Sequence, residues 1–152
     1  MKTAFFLGET GNTQKLRERL LNLDFQVVTA PTAMTPGMPD LLCLNLYPLS
    51  KLSKIALNKE ALLELLDATE LSMLLFAAKN RSIVVCDQSD LESVIDWLQM
   101  GKPVEEEVLD YLAAKAFAAV AEYALAAAEL LGNTKNVSGY IENFLVFPEI
   151  EQ

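Results

Sequence analysis

The period of apolar positions changes several times along the chain, and each change marks an element. Lys2 to Leu7 is a short apolar run that predicts a first strand. Gly8-Glu9-Thr10-Gly11-Asn12 turns the chain, and Leu16, Leu20 and Leu23 then recur at helical spacing, predicting a helix from about Thr13 to Leu23. Phe25 to Thr29 reads as a second strand. Ala30 to Pro39 carries three prolines, which remove backbone donors, so it reads as a loop. Leu41 to Leu46 is almost continuously apolar, the pattern of a strand covered on both faces, and Pro48 ends it.

The second half is mainly helical. Asn58 is placed to cap a helix reaching about Leu66, and a helix from Glu70 to Lys79 leads into a fourth strand, Ser82 to Cys86. Ser89-Asp90-Leu91-Glu92 has capping-box spacing and opens a helix that ends near Gly101. Nothing breaks helical propensity from Val104 to Leu131, so an unbroken helix there would be about 42 Å long at ~1.5 Å per residue. Ten alanines lie between Ala113 and Ala128, leaving that helix apolar on nearly every side; a buried central helix and a dimer interface both fit. Gly132-Asn133 ends it, and the tail has one short strand pattern, Phe144 to Phe147. Strands alternating with helices predict an α/β fold of three layers, a mostly parallel sheet with helices on both faces, in one domain spanning residues 1–152.

Charge and residue usage narrow the chemistry. With 12 basic against 21 acidic residues the formal charge is −9, the wrong sign for gripping a nucleic-acid backbone. Histidine is absent, which removes the commonest general base and zinc ligand and excludes triads built on it. Cys43 and Cys86 each lie in a short apolar run and read as core thiols. The apolar N-terminal run is cut by Gly8-Glu9, so it reads as a strand and not as a signal peptide. Lys115 and Glu122 sit inside the alanine-rich helix and make it a poor membrane span. The sequon Asn136-Val137-Ser138, lacking a secretory signal, reads as coincidence.

Four segments, in order, resemble the IMP cyclohydrolase domain (methylglyoxal synthase-like fold) of bifunctional AICAR transformylase/IMP cyclohydrolase. Asp40-Leu41-Leu42-Cys43-Leu44-Asn45-Leu46-Tyr47-Pro48 is similar to the family strand ending in Asn-Leu-Tyr-Pro. Leu74-Leu75-Phe76-Ala77-Ala78-Lys79-Asn80 and the strand after it resemble the family's Leu-Arg-Ala-Ala-Ala-Lys-Asn-His helix end and following strand. Leu112-Ala113-Ala114-Lys115-Ala116-Phe117 resembles the Leu-Ala-Ala-Lys-Ala-Phe helix, and Phe147-Pro148-Glu149 falls where that domain ends. The resemblance implies a cytoplasmic enzyme of purine biosynthesis that closes the ring of formyl-AICAR to IMP without metal or cofactor, and a homodimer.

The same resemblance implies site residues. Asp67 falls where the family addresses the carboxamide, and Lys79 and Tyr47 where it addresses the formyl oxygen. Asn45 and Asn80 would orient the substrate, with Thr10, Gly11 and Thr32 in the loops that meet its phosphate. Each also has an ordinary structural reading: Lys79 as a helix-terminal cation, Asp67 as a turn residue, Tyr47 as a rim aromatic.

The chain departs from the family in ways that bear on catalysis. Between Thr29 and Asp40 it lacks several dozen residues, including the stretch with Lys-Thr-Leu-His-Pro. The glycine-rich phosphate loop is reduced to Thr29-Ala30-Pro31-Thr32, and the first loop carries Glu9 where the family has lysine. Arg81 stands where the family has histidine, and the transformylase half is absent, which makes a separate transformylase chain a candidate partner. The alternative reading is therefore a catalytically inactive domain that binds a nucleotide or phosphometabolite, or that dimerises and regulates.

Overall fold

A computed structural model of the protein describes residues 1–7, 13–29, 37–46, 59–66 and 68–132. They form two compact units: Met1–Tyr47 with Asp67–Ala121, and Pro48–Leu66 with Glu122–Gln152. In the first unit the strands β1 (Lys2–Leu7), β2 (Phe25–Thr29), β3 (Leu41–Leu44) and β4 (Ile83–Val85) form one all-parallel sheet in the order β2-β1-β3-β4. Its helices are α1 (Thr13–Leu21), α3 (Ala68–Lys79), α4 (Gln88–Gln99) and the first part of α5 (Glu106–Gly132). The second unit holds α2 (Lys59–Leu65) and the rest of α5.

Alternation along the strands sorts the core into two layers. Ala4, Phe6, Leu41 and Val85 face α1 and α4, where Leu16, Leu20, Leu91 and Ile95 meet them. Phe5, Leu7, Leu42, Leu44 and Val84 face α3, against Leu74, Ala77 and Ala78. The expected three-layer α/β fold is the one observed. Leu112 joins the first cluster and Ala116 the second, so one turn of α5 reaches both sides of the sheet, which sets that turn beside the β4 edge. Edge strands need such cover.

Asp40 fixes the amino-terminal end of the sheet. Its amide donates to the Thr3 carbonyl (2.9 Å), its carboxylate accepts the Thr3 amide (2.8 Å), and its carbonyl accepts the Ile83 amide (2.9 Å). Three strands are thereby held in register by one residue.

Several boundaries differ from expectation. β3 stops at Leu44, two residues early, where its pairing with β1 ends at Leu7↔Leu44, and β4 is confined to Ile83–Val85, where its pairing with β3 runs only from Leu41↔Ile83 to Cys43↔Val85. α1 ends at Leu21, since Asn22 to Asp24 form a turn and Asp24 takes a left-handed φ of 62°. α5 is unbroken over 27 residues. Among the described residues, Glu106–Leu131 is the one helix long and apolar enough to cross a membrane by length and composition. Leu112 and Ala116 pack into the two core clusters, but only 22% of that span is buried, so among the described residues it is a helix packed along one side and not the fully buried central helix that the composition allowed. The Ala30–Pro36 part of the proline loop, Asn58 as a cap, the 144–147 strand pattern and the sequon at 136–138 lie outside the described residues.

Candidate functional site

The strand order places the topological switch between β1 and β3: the chain leaves β1 toward β2 on one side and leaves β3 toward β4 on the other. Open parallel sheets bind ligands in the crevice outside the carboxyl ends of the strands at that point. Here a small cleft opens there, lined by Cys43 and Asn45 at the end of β3, Asp87 at the end of β4, and Thr13 and Gln88 at the starts of α1 and α4. Asn45 is exposed and offers an amide with both donors and an acceptor.

Asp87 is the most constrained polar group of this edge. It is the N-cap of α4, in extended conformation, and its Oδ1 accepts the Asp90 amide at 2.8 Å. Ser89, expected to cap this helix, instead lies in its first turn and accepts the Ser93 hydroxyl through its carbonyl. The helix starts two residues earlier than the capping-box spacing indicated because the carboxylate of Asp87, just past β4, reaches the free amides first.

Lys115 of α5 donates to Oδ2 of Asp87 and to Oδ2 of Asp90, each at 2.5 Å, and its ammonium also lies 5.6 Å from the centre of the Tyr111 ring. The two carboxylates raise the lysine pKa above its ordinary value, Asp87 contributing most. Burial alone would raise the Asp87 carboxyl, but the hydrogen bonds from Lys115 and the Asp90 amide outweigh it, and its pKa is lowered. This trio was not singled out from the sequence. A lone lysine in an alanine-rich helix and an aspartate directly after a strand were the available signals.

The residues expected at a site are placed differently from one another. Asn45 is at the carboxyl end of the sheet. Lys79 and Asn80 are exposed and precede β4, at the amino-terminal end, where the Asn80 side chain donates to the Phe76 carbonyl at 2.8 Å and so closes the end of α3. The structure thus does not bring Asn45 together with Lys79 and Asn80. Thr10, Gly11, Thr32, Tyr47 and Asp67 lie outside the described residues. Cys43 and Cys86 are half-buried, not fully buried; burial pushes their thiols up to about 12 and about 11, respectively. Among the described residues no group of three or more Cys, Asp or Glu side chains is placed to hold a metal ion.

Fold and cleft together define a parallel α/β domain with a small crevice at its switch point. The chain is 33% identical over 112 residues to the bifunctional purine biosynthesis protein PurH of Petrotoga mobilis, a match covering 72% of this chain and 22% of that protein. It is therefore related to PurH and spans about a fifth of that relative's length. No protein-family model matches the sequence.

Proposed function

We propose that the chain serves purine nucleotide biosynthesis by closing the second ring of formyl-AICAR to give IMP and water, with its substrate in the crevice at the carboxyl ends of β1, β3 and β4. The likeness to PurH carries this reading, and the position of Asn45 in the cleft supports it. In the reaction the carboxamide nitrogen attacks the formyl carbon, a C–N bond forms, and the former formyl oxygen leaves as water after taking two protons. A neutral amide is a poor nucleophile, so the step needs a hydrogen-bond acceptor on the carboxamide and donors at the oxygen where charge develops. In this reading Asp67 supplies the first and Tyr47 the second, while Asn45 orients the ring. A homodimer of the 16.8 kDa chain belongs to the same reading, its interface drawn from the exposed side of α5 around Tyr111 and Phe117.

One observation favours a second reading, a domain that binds the nucleotide without turning it over: Lys79 and Asn80 lie at the sheet end opposite Asn45. Ultraviolet absorbance during incubation with formyl-AICAR, paired with calorimetric titration of IMP, separates the two. Turnover lost in Asn45→Ala and retained in Lys79→Ala confines ring closure to the carboxyl end. Turnover lost in Lys79→Ala gives the lysine the formyl-oxygen role. Saturable IMP binding without turnover establishes the second reading, and neither binding nor turnover removes both.

A further inference from the structure

A cavity of about 170 Å³ lies between α4 and the start of α5, apart from the switch-point cleft. Its walls are mainly apolar, Val94, Val108 and Leu112 with the aromatic residues Trp97 and Tyr111, and Asp90 also lines it. The Trp97 indole donates to the Pro103 carbonyl at 3.0 Å, which pins the α4–α5 connection beside the cavity.

We propose that this cavity binds a small cationic molecule of one aromatic ring, a primary arylalkylamine, with its ring against Trp97 and its ammonium on Asp90. Size sets the first constraint, because an apolar cavity of roughly 150 Å³ accommodates benzene. Charge sets the second. Lys115 is shared between Asp87 and Asp90, so two carboxylates against one ammonium leave one negative charge on the group to which Asp90 belongs. Lys115 occupies Oδ2 of Asp90, and a carboxylate has a second acceptor oxygen. The charge of the whole chain, −9, has the same sign. The aromatic walls add a preference for cations, since ring faces are electronegative; Tyr111 already holds the Lys115 ammonium over its ring. An anion would meet the unbalanced carboxylate, and a neutral ring would gain the apolar contact alone.

Trp97 is the single tryptophan of the chain, so its fluorescence reports on this cavity without ambiguity. The full-length protein is titrated with benzylamine, benzyl alcohol and benzoate at pH 7 and constant ionic strength. The expected result is a saturable change with benzylamine at least tenfold tighter than with benzyl alcohol, and none with benzoate. Asp90→Asn should bring benzylamine to the level of the alcohol, and Val108→Phe, which fills the cavity, should abolish both responses while circular dichroism stays unchanged. A flat response of the wild-type protein to benzylamine, or equal affinity for all three probes, overturns the proposal whatever the variants do.

Discussion

Lys115 donates to the carboxylate of Asp87 across 28 residues of chain, and this pair ties the long helix α5 to the carboxyl end of β4. The contact joins an element boundary to the switch-point edge: Asp87 caps α4 with one oxygen and receives α5 with the other. Its consequences for stability and pH response can be measured.

Replacing Lys115 by Met removes the shared cation and leaves Asp87 and Asp90 facing each other. Both acids and the lysine are partly solvated, so solvent screening keeps the expected loss to about 1 kcal/mol in urea unfolding. Because the folded-state pKa of Asp87 is lowered, its contribution is present above the ordinary aspartate value of 3.8 and is lost as pH falls through the folded value. Lys115 has the opposite form: its contribution is complete below 10.5 and is lost as pH rises beyond its raised folded pKa. The acid-side slope of stability against pH should be shallower in Lys115→Met than in the wild-type protein.

Asp87→Ala should cost about 1 kcal/mol or more, as loss of an N-cap does, whereas Ser89→Ala should stay within about 0.5 kcal/mol. Equal losses at the two positions would mean that Ser89 shares the capping role. The comparison needs only thermal or urea unfolding of the two variants.

Asp24 holds φ at 62° after α1, a conformation that costs an L-residue roughly 1–2 kcal/mol and costs glycine little. Asp24→Gly should therefore stabilise the protein by about 0.5–1 kcal/mol once the larger freedom of glycine in the unfolded chain is counted. Arg81 has nearly the same φ, 63°, but holds Glu106 and Asp110, so Arg81→Gly should show less gain than Asp24→Gly.

The native thiols should react slowly with iodoacetamide at pH 8, since burial pushes Cys43 up to about 12 and Cys86 to about 11, and the thiolate is the nucleophile. Mass spectrometry should show rapid double labelling only in denaturant. Their raised folded values also mean stability that is intact below the ordinary thiol value of 9.0 and declines as pH rises above it.

Truncating Leu42, fully buried at the middle of the sheet, should cost about 3–4 kcal/mol as Leu42→Ala, while exposed Leu21→Ala at the end of α1 should change stability by about 0.5 kcal/mol or less. Urea midpoints of the two variants check the contrast.

Local residue order determined much of this protein. The continuous apolar run Leu41 to Leu44, short and followed by Pro48, reads as a strand buried on both faces, and Leu16 and Leu20 at helical spacing read as the inner face of a helix, because period and burial are linked by backbone geometry. The alternation of these elements was enough to specify a parallel three-layer sheet. Tertiary structure alone decided where each strand stopped, since pairing partners and not composition end a ladder: Asn45 leaves the sheet because the last pair of β3 with β1 is Leu7↔Leu44. It also set Asn45 and Asn80 at opposite ends of the sheet, although both belong to motifs read as one site. Lastly it joined Asp87, Asp90 and Lys115, whose meeting depends on α5 lying along the β4 edge, a placement fixed by burial of Leu112 and Ala116 on the two faces and invisible to any pattern read along the chain.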